Sequence, residues 1–217
     1  MESLILDLIG PVLPISPSID KFREAAQLCE LSPPTTLFLR KHWDRNLETD
    51  FILEIAKRMV WSKAQMQEVL EMYVCLLNKL TFPSDPKLRR TMEELAGKYR
   101  LGLITNQSHE FLERHLSVQD VDVKMFSHIC VTSNQLRKPN PAVLDSFKSL
   151  GFNPDTSVYV GDSVDYDYKT IVNDHSKYKF IAIKGGADDG CDFRLAGVAY
   201  RLILNRLDEL PQIMREI

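Results

Sequence analysis

Apolar residues follow two rhythms along this chain. In the first, short and nearly unbroken apolar runs stand between polar stretches, at residues 4–6, 101–104, 129–131, 158–160 and 180–183. Such runs read as strands buried on both faces of a parallel sheet. In the second, apolar residues recur at helical spacing: Phe22, Ala25, Ala26 and Cys29; Phe51, Ile52, Ile55, Ala56 and Met59; Met66, Val69, Leu70, Tyr73, Leu76 and Leu77. That spacing predicts amphipathic helices, and it fills residues 18–80 with no convincing strand among them. Pro33-Pro34 parts the first helices, and Ser62 is placed to cap the last one.

The two rhythms divide the chain. Val12-Leu13-Pro14-Ile15-Ser16-Pro17 is studded with prolines and cannot be helix interior. At Phe82-Pro83-Ser84-Asp85-Pro86 the text changes again, with Asp85 as helix cap and Pro86 at the first helical position of a helix running to about Tyr99. From there strands alternate with helices predicted near 110–116, across 142–150, from Tyr166 and, at the end, from Asn205. This alternation means right-handed β-α-β units. The expected fold is therefore α/β: a Rossmann-like core, with a parallel sheet covered by helices on both faces, plus an inserted helical bundle. The core is expected to span 1–14 and 83–217, and the helical domain 15–82.

Composition narrows the class without naming a reaction. In 217 residues, 44% are hydrophobic and 26% charged, as in ordinary globular domains. With 27 Lys and Arg against 30 Asp and Glu the net charge is −3, too small to argue for nucleic acid or an anionic membrane as partner. No apolar run approaches the roughly 20 residues of a membrane span. The N-terminus lacks a basic segment, and Asp7 interrupts its apolar run, which argues against a signal peptide. Cys29, Cys75, Cys130 and Cys191 are scattered without a C-x-x-C pair, as expected of reduced thiols in a cytoplasmic protein.

Chemistry enters at the strand ends. Ligand sites of open α/β sheets lie beyond the carboxyl ends of strands. Asp7 ends the first run, Thr105-Asn106 the second, and Gly161-Asp162-Ser163 the fourth, with Asp167 close behind. Lys138 lies in the rigid loop Arg137-Lys138-Pro139-Asn140-Pro141. Two or three carboxylates at one sheet edge repel unless a cation holds them, and hard oxygen ligands suit Mg²⁺. A lysine and a hydroxyl facing that cation would bind a tetrahedral anion, and phosphate fits best. Asp7 is then a metal ligand or, in addition, a nucleophile.

Asp7 with Gly10, Thr105-Asn106, Lys138-Pro139-x-Pro141 and Gly161-Asp162-Ser163-x-x-x-Asp167 together resemble the four motifs of the haloacid dehalogenase (HAD) superfamily. The helical block between the first two is similar to that family's helical cap. The resemblance implies phosphoryl transfer with Mg²⁺ on a small phosphorylated metabolite. Asp7 would be the nucleophile. Thr105, Asn106 and Lys138 would hold the phosphate, with Lys138 also serving catalysis. Asp7, Asp162 and the backbone carbonyl of Ile9 would ligate the metal, with Asp167 supporting.

One departure matters. Phosphatases of this superfamily carry a second Asp two residues after the nucleophile and a Thr four residues after it; here those positions are Ile9 and Pro11. That Asp gives and takes the proton, which isoleucine cannot do, and losing positioned acid–base catalysis costs about 10²–10⁴-fold. The expected function is a phosphatase-like hydrolase with attenuated turnover. The alternatives are a non-catalytic phospholigand-binding or regulatory protein on this fold, or a dehalogenase-like hydrolase, since that branch also lacks the second Asp. Elsewhere simpler readings prevail. Asp165 reads as favourable charge at a helix start. The stretch Arg40-Lys41-His42-Trp43-Asp44-Arg45 reads as a solvated face, and Gly185-Gly186 with Asp188-Asp189-Gly190 as a loop bordering the cleft. His109, His115, His128 and His175 show no partner pattern.

Overall fold

The computed structural model describes residues 1–14, 16–42, 49–80, 82, 84–107, 109–132, 136–175, 177–184 and 186–217. Trp43, Asp44 and Arg45 of the mixed-charge stretch, with Pro83 and Gly185, lie outside the described residues. The chain divides into two compact units, Met1–Pro14 with Pro83–Ile217, and Ile15–Phe82. No helix among the described residues is long and apolar enough to cross a membrane.

The first unit is built on strands β1 (Ser3–Asp7), β2 (Arg100–Thr105), β3 (Phe126–Val131), β4 (Ser157–Gly161), β5 (Lys179–Ile183) and β6 (Ile203–Leu204). They form one sheet in the order β3-β2-β1-β4-β5-β6, and every pairing is parallel. This is the Rossmann-like α/β arrangement the alternating text predicts. Both faces are buried along β1, β2, β4 and β5, as their unbroken apolar runs require, whereas the run 129–131 on the edge strand β3 is only half-buried because no strand covers its outer side. Ile5, Ile104, Tyr159, Phe180 and Ala182 join one core cluster with Phe147, Phe152 and Phe193, while the alternate residues Leu4, Leu6, Leu103, Val158, Val160 and Ile181 are buried too.

The second unit holds α1 (Ser16–Leu28), α2 (Thr36–His42), α3 (Thr49–Met59) and α4 (Lys63–Asn78). Its apolar stripes face inward: Phe22, Ala25, Ala26, Met66, Val69 and Tyr73 are buried, and the Phe22 and Tyr73 rings meet edge to face at 5.4 Å. Ser62 caps α4 as its position predicts, its hydroxyl accepting the Gln65 N–H at 3.2 Å while the Gln65 side chain accepts the Ser62 N–H at 2.8 Å. In the first unit Asp85 caps α5 (Pro86–Ala96) by accepting the Lys87 N–H at 2.9 Å.

Three elements differ from their expected form. The stretch expected as one helix across 142–150 is a 3-10 turn, Pro141–Leu144, followed by α7 (Asp145–Ser149). The helix expected from Tyr166 opens as a π turn, Val164–Tyr168, before α8 (Lys169–Asn173). β6 was not expected at all, because two residues carry no detectable period. The remaining helices of this unit are α6 (His109–Val118), α9 (Gly190–Leu195) and α10 (Leu210–Ile213).

His115, given no role from the sequence, is fully buried on α6 against the Phe111 ring, with centroids 4.3 Å apart. Burial, aided by the Arg114 charge, lowers its pKa from 6.5 to about 4. A depressed histidine pKa gives stability that is present above the unfolded value and is lost as pH falls toward the folded one. Urea unfolding should therefore lose about 2 kcal/mol between about pH 7 and pH 5 that a His115→Leu variant keeps. Equal losses in both proteins would refute the assignment.

Candidate active site

Register assembles the site. Asp7, the last residue of β1, stands opposite Ile104 of β2, and Leu6 stands opposite Val160 of β4. Thr105, the last residue of β2, and Asp162, the first residue after β4, thus fall one step beyond the level of Asp7 on its two sides. The sheet reverses its direction of growth between β1 and β4, the switch point where α/β sheets leave a crevice at their carboxyl edge.

Lys138 enters this edge from the loop between β3 and α7, and its peptide bond to Pro139 is cis. Its Nζ lies 2.8 Å from Asp7 Oδ1 and 2.5 Å from Asp167 Oδ1. Asp167 is reached because it lies in the π turn, where the N–H groups of Asp167 and Tyr168 both donate to the Ser163 carbonyl. Asp167 Oδ1 also accepts from the Tyr159 hydroxyl at 3.0 Å, and its Oδ2 accepts the N–H groups of Asp162 at 3.0 Å and Ser163 at 3.1 Å. Four donors occupy the lone-pair positions of a carboxylate, so Asp167 holds both the lysine and the 162–163 turn in place. Burial, together with the charges of Asp167, Asp7 and Asp162, raises the Tyr159 pKa well above its ordinary value and keeps it a hydroxyl donor.

Asp162 is enclosed by backbone. Its Oδ2 accepts the Ala187 N–H at 2.7 Å, and it packs so closely on the loop after β1 that a Cβ on Gly10 would lie 2.1 Å from its Cγ. Gly10 also has φ +99°, a left-handed conformation that other residues adopt only with strain. The loop after β1 is tight. The Leu13 N–H donates to Leu8 O at 2.8 Å and the Gly10 N–H donates to Leu13 O at 2.6 Å. The Ile9 carbonyl takes part in neither bond, and the Ile9 side chain is buried. On the other side, Thr105 Oγ1 accepts the Gln107 N–H at 3.1 Å. Asn106 Oδ1 accepts from the Thr132 hydroxyl at 2.6 Å and the Lys138 N–H at 3.4 Å, which turns the amide nitrogen away from those donors.

Asp7, Lys138, Thr105, Asn106, Asp162 and Asp167 are all buried. One oxygen each from Asp7, Asp162 and Asp167 falls within 4.8 Å of the others. Three carboxylates and one ammonium, which contacts two of them, leave two formal negative charges, which a divalent cation would match. The donor set is all oxygen, the chemistry Mg²⁺ prefers. Sequence reasoning did not find Tyr159, which reads as one more apolar strand residue, nor Thr132 or Ala187, whose contributions are a hydroxyl at a strand end and a backbone N–H.

The family model for haloacid dehalogenase-like hydrolases matches residues 17–176. The chain belongs to the haloacid dehalogenase-like hydrolase family. Among solved structures, a predicted phosphoglycolate phosphatase from Haemophilus somnus superposes with a TM-score of 0.77 at 15% identity, covering 99% of this chain and 98% of its own. A HAD family hydrolase from Deinococcus radiodurans, with bound phosphate and sodium, gives 0.75 at 16% identity, covering 100% and 96%. A Bacillus subtilis protein assigned as a HAD hydrolase, bound to magnesium, gives 0.71 at 13% identity, covering 99% and 98%. At such identities the likeness is one of fold. No curated protein matches the chain.

In this HAD hydrolase the Lys138 ion pairs are internal, and removing one partner of a buried pair costs about 3–5 kcal/mol. Lys138→Met should lower the unfolding free energy by that amount in urea titration. Adding Asp7→Asn removes one of the stranded charges, so the double variant should recover at least about 1 kcal/mol relative to additivity. Strict additivity would mean that the two groups do not share a network.

Proposed function

We propose that this chain is a Mg²⁺-dependent, phosphatase-like hydrolase of the cytoplasm, acting on a small phosphorylated metabolite through Asp7, with turnover attenuated by Ile9. The observation that carries the reading is the buried Lys138 ammonium shared between Asp7 and Asp167, a cation fixed beside a carboxylate at the crevice edge. The phosphate bound in the Deinococcus hydrolase and the magnesium bound in the Bacillus protein support it by analogy.

In this reading Asp7 attacks phosphorus along the line of the leaving oxygen and becomes an aspartyl phosphate. Lys138, the Thr105 hydroxyl and the Asn106 amide hold the phosphate oxygens, with Thr132 fixing which way the amide points. Asp7, Asp162 and the Ile9 carbonyl hold Mg²⁺, and Asp167 supports them by fixing Lys138 and the 162–163 turn. Mg²⁺, when bound, neutralises charge on the phosphate and on the converging carboxylates. The helical unit serves as the cap that selects the substrate. Ile9 supplies a backbone oxygen but no proton. A leaving alkoxide must depart unprotonated, and the water that attacks aspartyl phosphate lacks its base.

A second reading, a protein that holds a phosphorylated ligand without hydrolysing it, is favoured by the same apolar residue at position 9. One experiment separates the two. With p-nitrophenyl phosphate, whose leaving group needs no proton, the proposal expects a burst no larger than the enzyme concentration, then a slow steady rate. Ile9→Asp with Pro11→Thr should raise the steady rate by about 10²–10⁴-fold. Absence of any burst or label on Asp7 would favour the binding protein. Rapid turnover of an alkyl phosphate by the wild type would overturn the attenuation.

A further inference from the structure

The segment 186–188, between β5 and α9, lies across the Asp162 turn as a strap. Its amides hold Asp162 twice: the Ala187 N–H donates to Asp162 Oδ2 at 2.7 Å, and the Asp188 N–H donates to the Asp162 carbonyl at 3.1 Å. Gly186 permits the approach, since a Cβ there would lie 2.0 Å from Asp162 Oδ2. What fastens the strap is a third bond in the opposite direction, in which Asp188 Oδ2 accepts the Val164 N–H at 2.7 Å. Val164 opens the π turn, and N–H groups of a first helical turn have no partner within their own helix.

We propose that Asp188 is a positioning residue for the cation site, holding the 186–188 strap so that the Asp162 carboxylate keeps its orientation toward Asp7. The inference rests on the reading in which Asp7 and Asp162 hold a divalent cation. A carboxylate gripped on one oxygen by a fixed amide has its plane set before a cation arrives. Hydrogen bonds of this outer kind change metal affinity by about 10–100-fold when lost. The same three bonds join two loops that the sequence places more than twenty residues apart. The Asp162 turn therefore depends on a side chain that need not touch the cation.

The test is calorimetric titration of Mg²⁺ into the wild type, Asp162→Asn, Asp188→Ala and Asp188→Asn, with thermal unfolding of each. Asp188→Ala should weaken Mg²⁺ binding about 10–100-fold. Asp188→Asn, whose amide oxygen still accepts from Val164, should restore most of it. A residue that only stabilised the fold would shift the melting temperature without this pattern. If Asp162→Asn weakens binding and Asp188→Ala does not, the positioning role is overturned while the cation reading stands. If the wild type binds no Mg²⁺, both fall. An Asp188→Asn variant as weak as Asp188→Ala overturns the hydrogen-bond role. Should Asp188→Ala fail to fold, amide exchange of the wild type decides: Mg²⁺ must slow exchange at Ala187 and Asp188, and unchanged exchange overturns the proposal.

Discussion

Lys138 Nζ stands 2.8 Å from Asp7 and 2.5 Å from Asp167, and none of the three side chains is more than 1% exposed. Charges withdrawn from water to this degree lose several kcal/mol of hydration each, and mutual attraction offsets that only when the remaining donors and acceptors are also met. The structure meets those of Asp167 from two places, the hydroxyl of the β4 residue Tyr159 and the amides of the 162–163 turn. Those elements cannot shift independently. A displaced π turn would take Asp167 from the lysine, and a displaced lysine would strand Asp7. The sheet is thus coupled to its edge loops through one ammonium as well as through its core.

Much of this architecture was open to reading from the chain. Strands buried on both faces have no polar side to interrupt them, so 4–6, 101–104, 158–160 and 180–183 stood out as runs, and each forms a strand of the sheet. The edge strand β3 begins at Phe126, earlier than its apolar run, because Ser127 and His128 break the pattern; Phe126 pairs with Leu101 and His128 with Gly102, with Ser127 at the register shift between them. β6 is two residues long and left no trace. The π turn was hidden for a different reason. It is selected by where Asp167 must reach, and the local spacing of Val164, Asp165, Tyr166 and Tyr168 suits an ordinary helix equally well.

The same distinction governs the site. Asp7, Lys138 and Asp162 announce themselves because their side chains carry the charge that matters. Ala187 holds Asp162 through a main-chain N–H, which almost any residue can supply, so its identity carries no signal. Thr132 and Tyr159 contribute hydroxyls at positions where threonine and tyrosine are common strand residues. From composition alone, a loop bordering the cleft could be expected near residues 186–188. Its hold on the Asp162 turn could not, because that depends on where two loops distant in sequence meet. Side-chain chemistry is legible from sequence, whereas support from backbone becomes visible only once the chain is folded.

On the proposed reading, position 9 is where the support would outlast the chemistry. The loop after β1 is made by main-chain bonds between Leu8, Gly10 and Leu13 and by the left-handed φ of Gly10, none of which depends on the Ile9 side chain. A carbonyl ligand at residue 9, as proposed, is equally indifferent to it. An aspartate there would add a fourth negative charge beside three clustered carboxylates that have one ammonium among them. Isoleucine instead buries apolar surface worth about 1.5–3 kcal/mol. On that reading, stability and proton transfer would pull on this residue in opposite directions, the usual tension at a catalytic position. A chain under selection for binding a phosphorylated ligand, with turnover secondary, would drift toward the more stable choice without disturbing Lys138, Asp162 or the loops that hold them.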